Sequence, residues 1–417
     1  MSSPLKKDVR DSVRHFTPAW FAVNMGTGAI SILFANFPYG NTTTPMKILA
    51  SIFFFLNLAL FIVFTTVSAW RYIRYPDVWS LMIRHPVQSL YLGCFPMGAT
   101  TVMSVATTVF YKEYGFGGEA FLYALWGFWL LDVAISALCV WWLVHIMFTG
   151  QKHTLERMTA VWLLPVVTFI VASATGGVLA EPLHAISPRI ALFTITLCIF
   201  MVSIGLSLAL MILTIYLHRL VVYGLPEGAT IMSAFVPLGP TGQAGFSIVL
   251  IGQALQAFLP IEGSSSSFLS NQDAGRIIYV VCICISFFLW SLATMWLIFG
   301  LLGIYSVAST TRFPFKVPFW GIIFPNGVYA NLTITLYRTL DVGFFRVWGA
   351  IYSGFTLALW IVVFGRTVML VKDGYIFEAP CLEGMSLGPN LRSTEKRRSD
   401  SGEASAAATM VGAGGTA

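Results

Sequence analysis

Uncharged amide and hydroxyl side chains recur inside long apolar stretches of this sequence. Gln243 and Asn331 each lie seven residues after a bulky apolar residue that directly precedes a proline, which is two turns along one helix face. Amides placed in this way can replace part of the hydration shell of a small ion, and Asn24, Thr241 and Asn326 are similar candidates. The alternative is that these groups bond neighbouring helices together, and Asn326 could also cap an interrupted helix.

The bulky residues before the prolines form a second set of candidates. If the segments superpose, their side chains share one level and form an apolar constriction, which can act as a gate by occlusion or dewetting. The alternative is ordinary helix packing. The four residues are Phe95, Leu164, Val236 and Phe324, which precede Pro96, Pro165, Pro237 and Pro325, and Pro240 follows closely in the third segment.

The composition indicates the elements that must position these residues. Hydrophobic residues make up 57% of the chain and charged residues 10%, against about 25% charged in ordinary soluble domains, and the mean hydropathy is +0.79. The net charge of +6 is assigned to cytoplasmic loops rather than to nucleic acid binding, because Lys and Arg cluster between apolar stretches. The six cysteines fall almost wholly within apolar stretches, so we predict no disulfide framework, metal site or cofactor.

We therefore predict an all-α polytopic membrane protein with ten transmembrane helices. Residues 1–17 are predicted to be a cytoplasmic N-terminal segment, 18–371 a transmembrane transport domain, and 372–417 a disordered cytoplasmic tail. Most stretches exceed the roughly 20 residues that cross a bilayer. The ten spans are predicted at 18–37, 47–70, 86–110, 118–149, 158–180, 190–217, 228–260, 276–309, 318–337 and 344–371.

The odd and even spans differ in a regular way. Spans 3, 5, 7 and 9 contain interior prolines, span 1 has a glycine break at Gly26 and Gly28, and the even spans contain neither feature. A proline inside a helix removes a backbone donor and clashes with the preceding turn, and interrupted backbone is tolerated in lipid only where protein covers it or it lines a wet cavity. We therefore predict five helical hairpins, with the odd helices around a centre and the even helices outside them.

The predicted inner helices favour an anion. None of the odd spans contains Asp, Glu, Lys or Arg, which is poor for metal cations, while free amide donors at the start of a broken helix suit an anion. Asp132 lies in span 4, where an intramembrane carboxylate is a functional candidate by default. Proton coupling is one role for it, but its position in the outer layer favours a structural role.

The distribution of Lys and Arg predicts that both termini are cytoplasmic. The glycosylation sequon that begins at Asn41 then lies outside the cell. The sequence contains no HExxH motif, phosphate-binding glycine loop or GxSxG motif, so we predict that the protein is not an enzyme.

Several motifs carry a resemblance that covers about residues 14 to 371. The chain resembles the tellurite-resistance/dicarboxylate transporter family, which includes the slow anion channels, and within it the fungal plasma-membrane sulfite efflux branch. The motifs are His15-Phe16-Thr17-Pro18, Met25-Gly26-Thr27-Gly28, Phe95-Pro96-Met97-Gly98, Leu238-Gly239-Pro240-Thr241-Gly242-Gln243 and Phe324-Pro325-Asn326-Gly327.

This resemblance implies five hairpins in a pseudo-fivefold array, a central pore lined by the odd helices, and a homotrimer in the lipid bilayer. It also implies a pore-blocking phenylalanine that maps onto Phe324. We therefore expect a plasma-membrane transporter that exports sulfite or bisulfite. The alternatives are a malate-type dicarboxylate permease or other small-anion channel of the same fold, and, from another class, a membrane receptor or scaffold.

Overall fold

The computed structural model describes residues 9–261, 265–310, 315–374 and 376–382, which form helices and connecting turns without a strand. Residues 1–8 of the predicted N-terminal segment and 383–417 of the predicted tail lie outside the described residues. The α-helices are α1 (Val9–Arg14), α2 (Phe21–Asn36), α3 (Thr44–Arg74), α4 (Pro76–Arg84), α5 (Cys94–Val105), α6 (Gly118–Ala137), α7 (Val144–Thr149), α8 (Leu164–Ile186), α9 (Pro188–Tyr223), α10 (Leu238–Phe258), α11 (Ala274–Thr310), α12 (Ile323–Leu340) and α13 (Gly343–Asp373).

Nine helical segments in the described part of the chain are long and apolar enough to cross a membrane. The predicted ninth span, 318–337, is helical from residue 317 to residue 340, but it is not among those nine. The chain is therefore an all-α polytopic membrane protein.

The prolines lie where a helix changes type. Each of α2, α5, α8 and α12 follows directly on a 3-10 helix, and two residues separate α10 from the end of one. Pro96, Pro165 and Pro325 fall within the first three residues of their α-helices, whereas Pro237 precedes α10 and Pro240 is its third residue. A proline in the first turn costs little, because the donors there lack a partner within the α-helix. The interruption predicted in the middle of these spans is therefore a junction at the start of each α-helix.

The junction also determines which backbone N–H groups at the start of each α-helix are free to bind a ligand. The amide of Cys94 donates to the carbonyls of Tyr91 and Leu92, and the amide of Ile323 donates to that of Trp320. The first donors of these α-helices are thus bonded to the preceding 3-10 turn. The expectation of free backbone donors is wrong at these two positions.

The helix break expected at Gly26 and Gly28 is also wrong, because α2 runs without interruption from Phe21 to Asn36. The two glycines instead allow close packing. A Cβ added at Gly28 would lie 2.1 Å from Oγ1 of Thr101, and one at Gly26 would lie 3.1 Å from the ring of Trp320. The glycines therefore bring α2 against α5 and against the 3-10 helix before α12.

The helices form an inner and an outer layer. The inner helices contact each other in the closed order α2, α5, α8, α10, α12 and back to α2, and each packs against the long helix that follows it in the chain. In an apolar window of 18 residues within the α8 segment every residue is buried, against 22% of the residues in the corresponding window of the α3 segment. Helices α3, α6, α9, α11 and α13 therefore present apolar side chains outward, as lipid-facing helices do.

Residues 376–382 pack against the same end of the molecule as the 3-10 helices. Phe377 stacks on Trp20 with ring centroids 5.2 Å apart, and Nζ of Lys316 lies 2.8 Å from a carboxylate oxygen of Glu378. Leu382 joins a small apolar cluster that includes α4.

Candidate functional site

Two cavities lie inside the inner layer. The large cavity, about 330 Å³, is lined by the 3-10 helices, the first residues of the inner α-helices and the loops before them. The small cavity, about 40 Å³, is lined by residues further along the same inner helices. Among the described residues, Phe324 alone lines both cavities, and its side chain is only 5% exposed. Its ring therefore stands between the two spaces.

The other predicted constriction residues divide into two groups. Leu164 and Val236 line the large cavity next to Phe324. Phe95 lines neither cavity, because its ring packs edge-on against Phe21, with centroids 5.1 Å apart, and stacks on Phe61 at 5.5 Å. The prediction that four pre-proline residues share one level is therefore wrong for Phe95.

The helical register of α5 explains this difference. Among its cavity-lining residues, Cys94 and Met97 are each one position earlier, relative to the proline, than Phe324 and Gly327 of α12. One residue corresponds to a rotation of about 100°. Phe95 is therefore turned away from the cavities and towards the aromatic side chains of α2 and α3.

The two amides predicted two turns beyond the constriction both line the small cavity. Gln243 is 8% exposed, and its side-chain amide hydrogen-bonds to no group in the described part of the chain. Oδ1 of Asn331 accepts a hydrogen bond from Nδ2 of Asn36 at 2.9 Å, while its own Nδ2 donates to no described group. Both residues therefore present amide donors to the small cavity.

The other three predicted pathway residues bond within the protein and line neither cavity. Asn24 donates to the backbone carbonyl of Asn57 at 3.1 Å, and Thr241 donates to the carbonyl of Pro237 at 2.8 Å. Asn326 donates to the carbonyl of Ile322 at 2.5 Å and accepts a hydrogen bond from the hydroxyl of Tyr352. Their polar atoms therefore join or cap helices in this structure, and their pathway role stays a prediction.

Sequence reasoning missed a set of hydroxyls that line the small cavity: Thr100, Thr101, Ser104, Thr108 and Thr175. Thr100, Thr101 and Thr108 donate to carbonyls of their own helix at 2.7, 2.7 and 2.9 Å, while the hydroxyls of Ser104 and Thr175 lie 3.1 Å apart. The spacing of residues 101, 104 and 108 on one helix face was the available signal. Because these hydrogens are used internally, the amides of Gln243 and Asn331 are the main donors left for a ligand.

Sequence reasoning also missed the charges of the large cavity. Arg157 and Lys316 line it, and no Asp or Glu is among the described residues that do so. His153 belongs to the same loop as Arg157, and its pKa is lowered because it is partly buried. The imidazole is therefore neutral at pH 7, so the positive charge at the large cavity comes from Arg157 and from Lys316, which also pairs with Glu378.

Asp132 and Asn41 lie away from both cavities. Asp132 is buried in α6, and its Oδ2 has no hydrogen-bond partner in the described part of the chain. Asn41 lies in the turn between α2 and α3, where its amide donates to the carbonyl of Ala35 at 3.5 Å. The structural role of Asp132 and the glycan on Asn41 stay predictions.

Comparison with known proteins adds a family to this geometry. Residues 15–368 match the voltage-dependent anion channel family. The chain belongs to that family. This confirms the resemblance to the tellurite-resistance/dicarboxylate transporters and the prediction that the protein is a transporter rather than an enzyme.

Three relatives illustrate the range of named functions. A protein named sulfite efflux pump SSU1 from Arthroderma benhamiae is 36% identical over 87% of this chain and 92% of its own length. A protein of the same name from Trichophyton rubrum is 35% identical over the same shares. The malic acid transport protein of Schizosaccharomyces pombe is 22% identical over 87% of this chain and 80% of its own.

Proposed function

We propose that this protein exports sulfite or bisulfite across the plasma membrane, through a central pore that Phe324 gates. In this proposal, ten transmembrane helices form five hairpins in a pseudo-fivefold array, both termini are cytoplasmic, and three copies assemble into a homotrimer. The observation that carries the proposal is the position of Phe324 between the two cavities.

The charges support a direction of entry. The large cavity lies at the end of the molecule where the Lys-rich and Arg-rich loops meet, which is the cytoplasmic side under the positive-inside rule. Arg157 and Lys316 raise the local concentration of anions there. Beyond the apolar ring of Phe324, the anion exchanges part of its hydration shell for the amide donors of Gln243 and Asn331.

The dimensions support a small anion. One water molecule requires roughly 10–15 Å³ of cavity volume. The small cavity, at about 40 Å³, therefore has room for about three waters. Sulfite, with four heavy atoms, fits this space better than a four-carbon dicarboxylate. The names of the two relatives that are about 35% identical point the same way.

A malate-type permease is the second candidate, and one observation favours it. The large cavity carries two cations, Arg157 and Lys316, and a dicarboxylate is well matched by one cation for each carboxylate. The malic acid transport protein is also a relative over most of the chain.

The two candidates are separated by efflux measurements in cells that lack their own sulfite and malate exporters. Cells are loaded with sulfite or with malate, and efflux is compared between cells that express the protein and cells with an empty vector. We expect faster sulfite efflux and unchanged malate efflux. Faster malate efflux with unchanged sulfite efflux would support the second candidate, and no effect on either anion would contradict both.

A further inference from the structure

A chain of three polar side chains runs from the protein surface to the small cavity. Nη1 of Arg338 lies 3.3 Å from Oδ1 of Asn36, and Nη2 lies 2.9 Å from the backbone carbonyl oxygen of the same residue. Nδ2 of Asn36 then donates to Oδ1 of Asn331 at 2.9 Å. Asn36 and Asn331 line the small cavity, and Arg338 does not.

The guanidinium of Arg338 fixes the orientation of the side-chain amides of Asn36 and Asn331. A guanidinium only donates hydrogen bonds, so the atom of Asn36 that faces Arg338 must be the amide oxygen. The NH₂ group of Asn36 then faces Asn331, whose oxygen must accept. The NH₂ group of Asn331 is left over at the wall of the small cavity, where it can donate to a ligand.

We infer that Arg338 is a positioning residue for anion selectivity, because through Asn36 it holds Asn331 with its donors facing the transport pathway. This inference rests on the proposed function and adds a specificity determinant to it. Arg338 itself does not touch the transported anion. An amide that was free to turn would present its oxygen half of the time and would repel an anion.

The substitution Asn36→Asp tests this polarity with almost no change in shape. A carboxylate only accepts, so it keeps the bond from Arg338 but requires Asn331 to turn its NH₂ group away from the small cavity. One lost hydrogen bond to a charged group corresponds to about a tenfold effect or more. We expect the sulfite-to-chloride flux ratio in reconstituted vesicles to fall about tenfold in Asn36→Asp. Because this substitution also adds a negative charge at the small cavity, Asn36→Leu, which breaks the chain of hydrogen bonds without adding a charge, should lower the ratio as well. A ratio equal to that of the wild type in either variant would overturn the inference.

Substitutions of the arginine separate positioning from a simple surface charge. Arg338→Lys retains a residue that only donates and should keep most of the selectivity, whereas Arg338→Met should lose it. In an Asn331→Ala background, Arg338→Met should change the ratio no further, since coupled residues do not act additively. An equal loss in that background would show that Arg338 acts through space and would refute its positioning role.

Arg346 provides a matched control near the same end of α2. It stacks on Tyr39 at 4.3 Å and bonds the carbonyl of Pro38 at 3.4 Å, without touching Asn36 or Asn331. Arg346→Met should leave the ratio unchanged, and a loss as large as that of Arg338→Met would overturn the inference. Misfolding is detected by comparing the thermal stability of each purified variant. Failure of the proposed function is distinct, because the wild-type protein would then carry no sulfite.

Discussion

Replacing Phe324 with Ala should increase anion flux strongly, because the ring stands between the two cavities. The ring is 5% exposed, so an opening movement of the wild-type side chain must expose much of its apolar surface. Burial of a Phe side chain is worth about 1.5–3 kcal/mol. At about 1.4 kcal/mol for each factor of ten, removal of this opening cost should raise sulfite flux roughly 10- to 100-fold.

The assay is sulfite flux from vesicles that contain equal amounts of purified wild-type or variant protein. Phe95→Ala is the matched control, since it removes the same ring before a proline, but at a position that packs against Phe21 and Phe61. It should lower thermal stability without increasing the flux per folded protein. Val236→Ala widens the large cavity alone and should have a much smaller effect than Phe324→Ala. Unchanged or reduced flux in a folded Phe324→Ala variant, or an equal increase in Phe95→Ala, would refute the gate.

Three further predictions concern charge, coupling and packing. Arg157→Gln and Lys316→Gln should each lower sulfite flux at low ionic strength and have less effect at high salt, because salt screens the attraction of anions. If flux assays show an effect that is independent of salt, these charges do not attract anions to the large cavity. Asp132→Asn should leave the pH profile of transport nearly intact, and loss of the pH dependence would show a coupling role instead. Gly28→Ala should destabilise the protein by about 1–3 kcal/mol, because the added methyl would clash with Thr101; an unchanged unfolding midpoint would contradict this packing.

Hydropathy and proline position predicted much of the architecture. The predicted spans coincide with helices, and the proline-containing or glycine-containing spans are the buried ones. This succeeded because the cost of interrupted backbone in lipid confines such segments to the protein interior. The same repeat located Gln243 and Asn331, since two turns of helix return to the same face.

Other features of the site could not be predicted from the sequence, because a repeat pattern carries no information on helix rotation or on contacts between helices and loops. The pattern does not set the rotation of each helix about its own axis, so Phe95 was predicted on the cavity side although α5 is turned by about one residue. Asn24 and Asn326 have the same polarity as the cavity-lining amides but find partners on neighbouring helices. Arg157 and Lys316 lie in loops, and only the folded chain brings them to one cavity.

The barrier at Phe324 is tested most directly by the accessibility of a cysteine placed beyond it. Asn331→Cys puts a thiol at the small cavity, in a background whose six native cysteines are replaced, and a charged thiol reagent is applied only from the side of the large cavity. We expect slow modification with Phe324 present and modification at least tenfold faster after Phe324→Ala. Equal rates in the two proteins would show that the ring does not separate the cavities and would contradict the central claim.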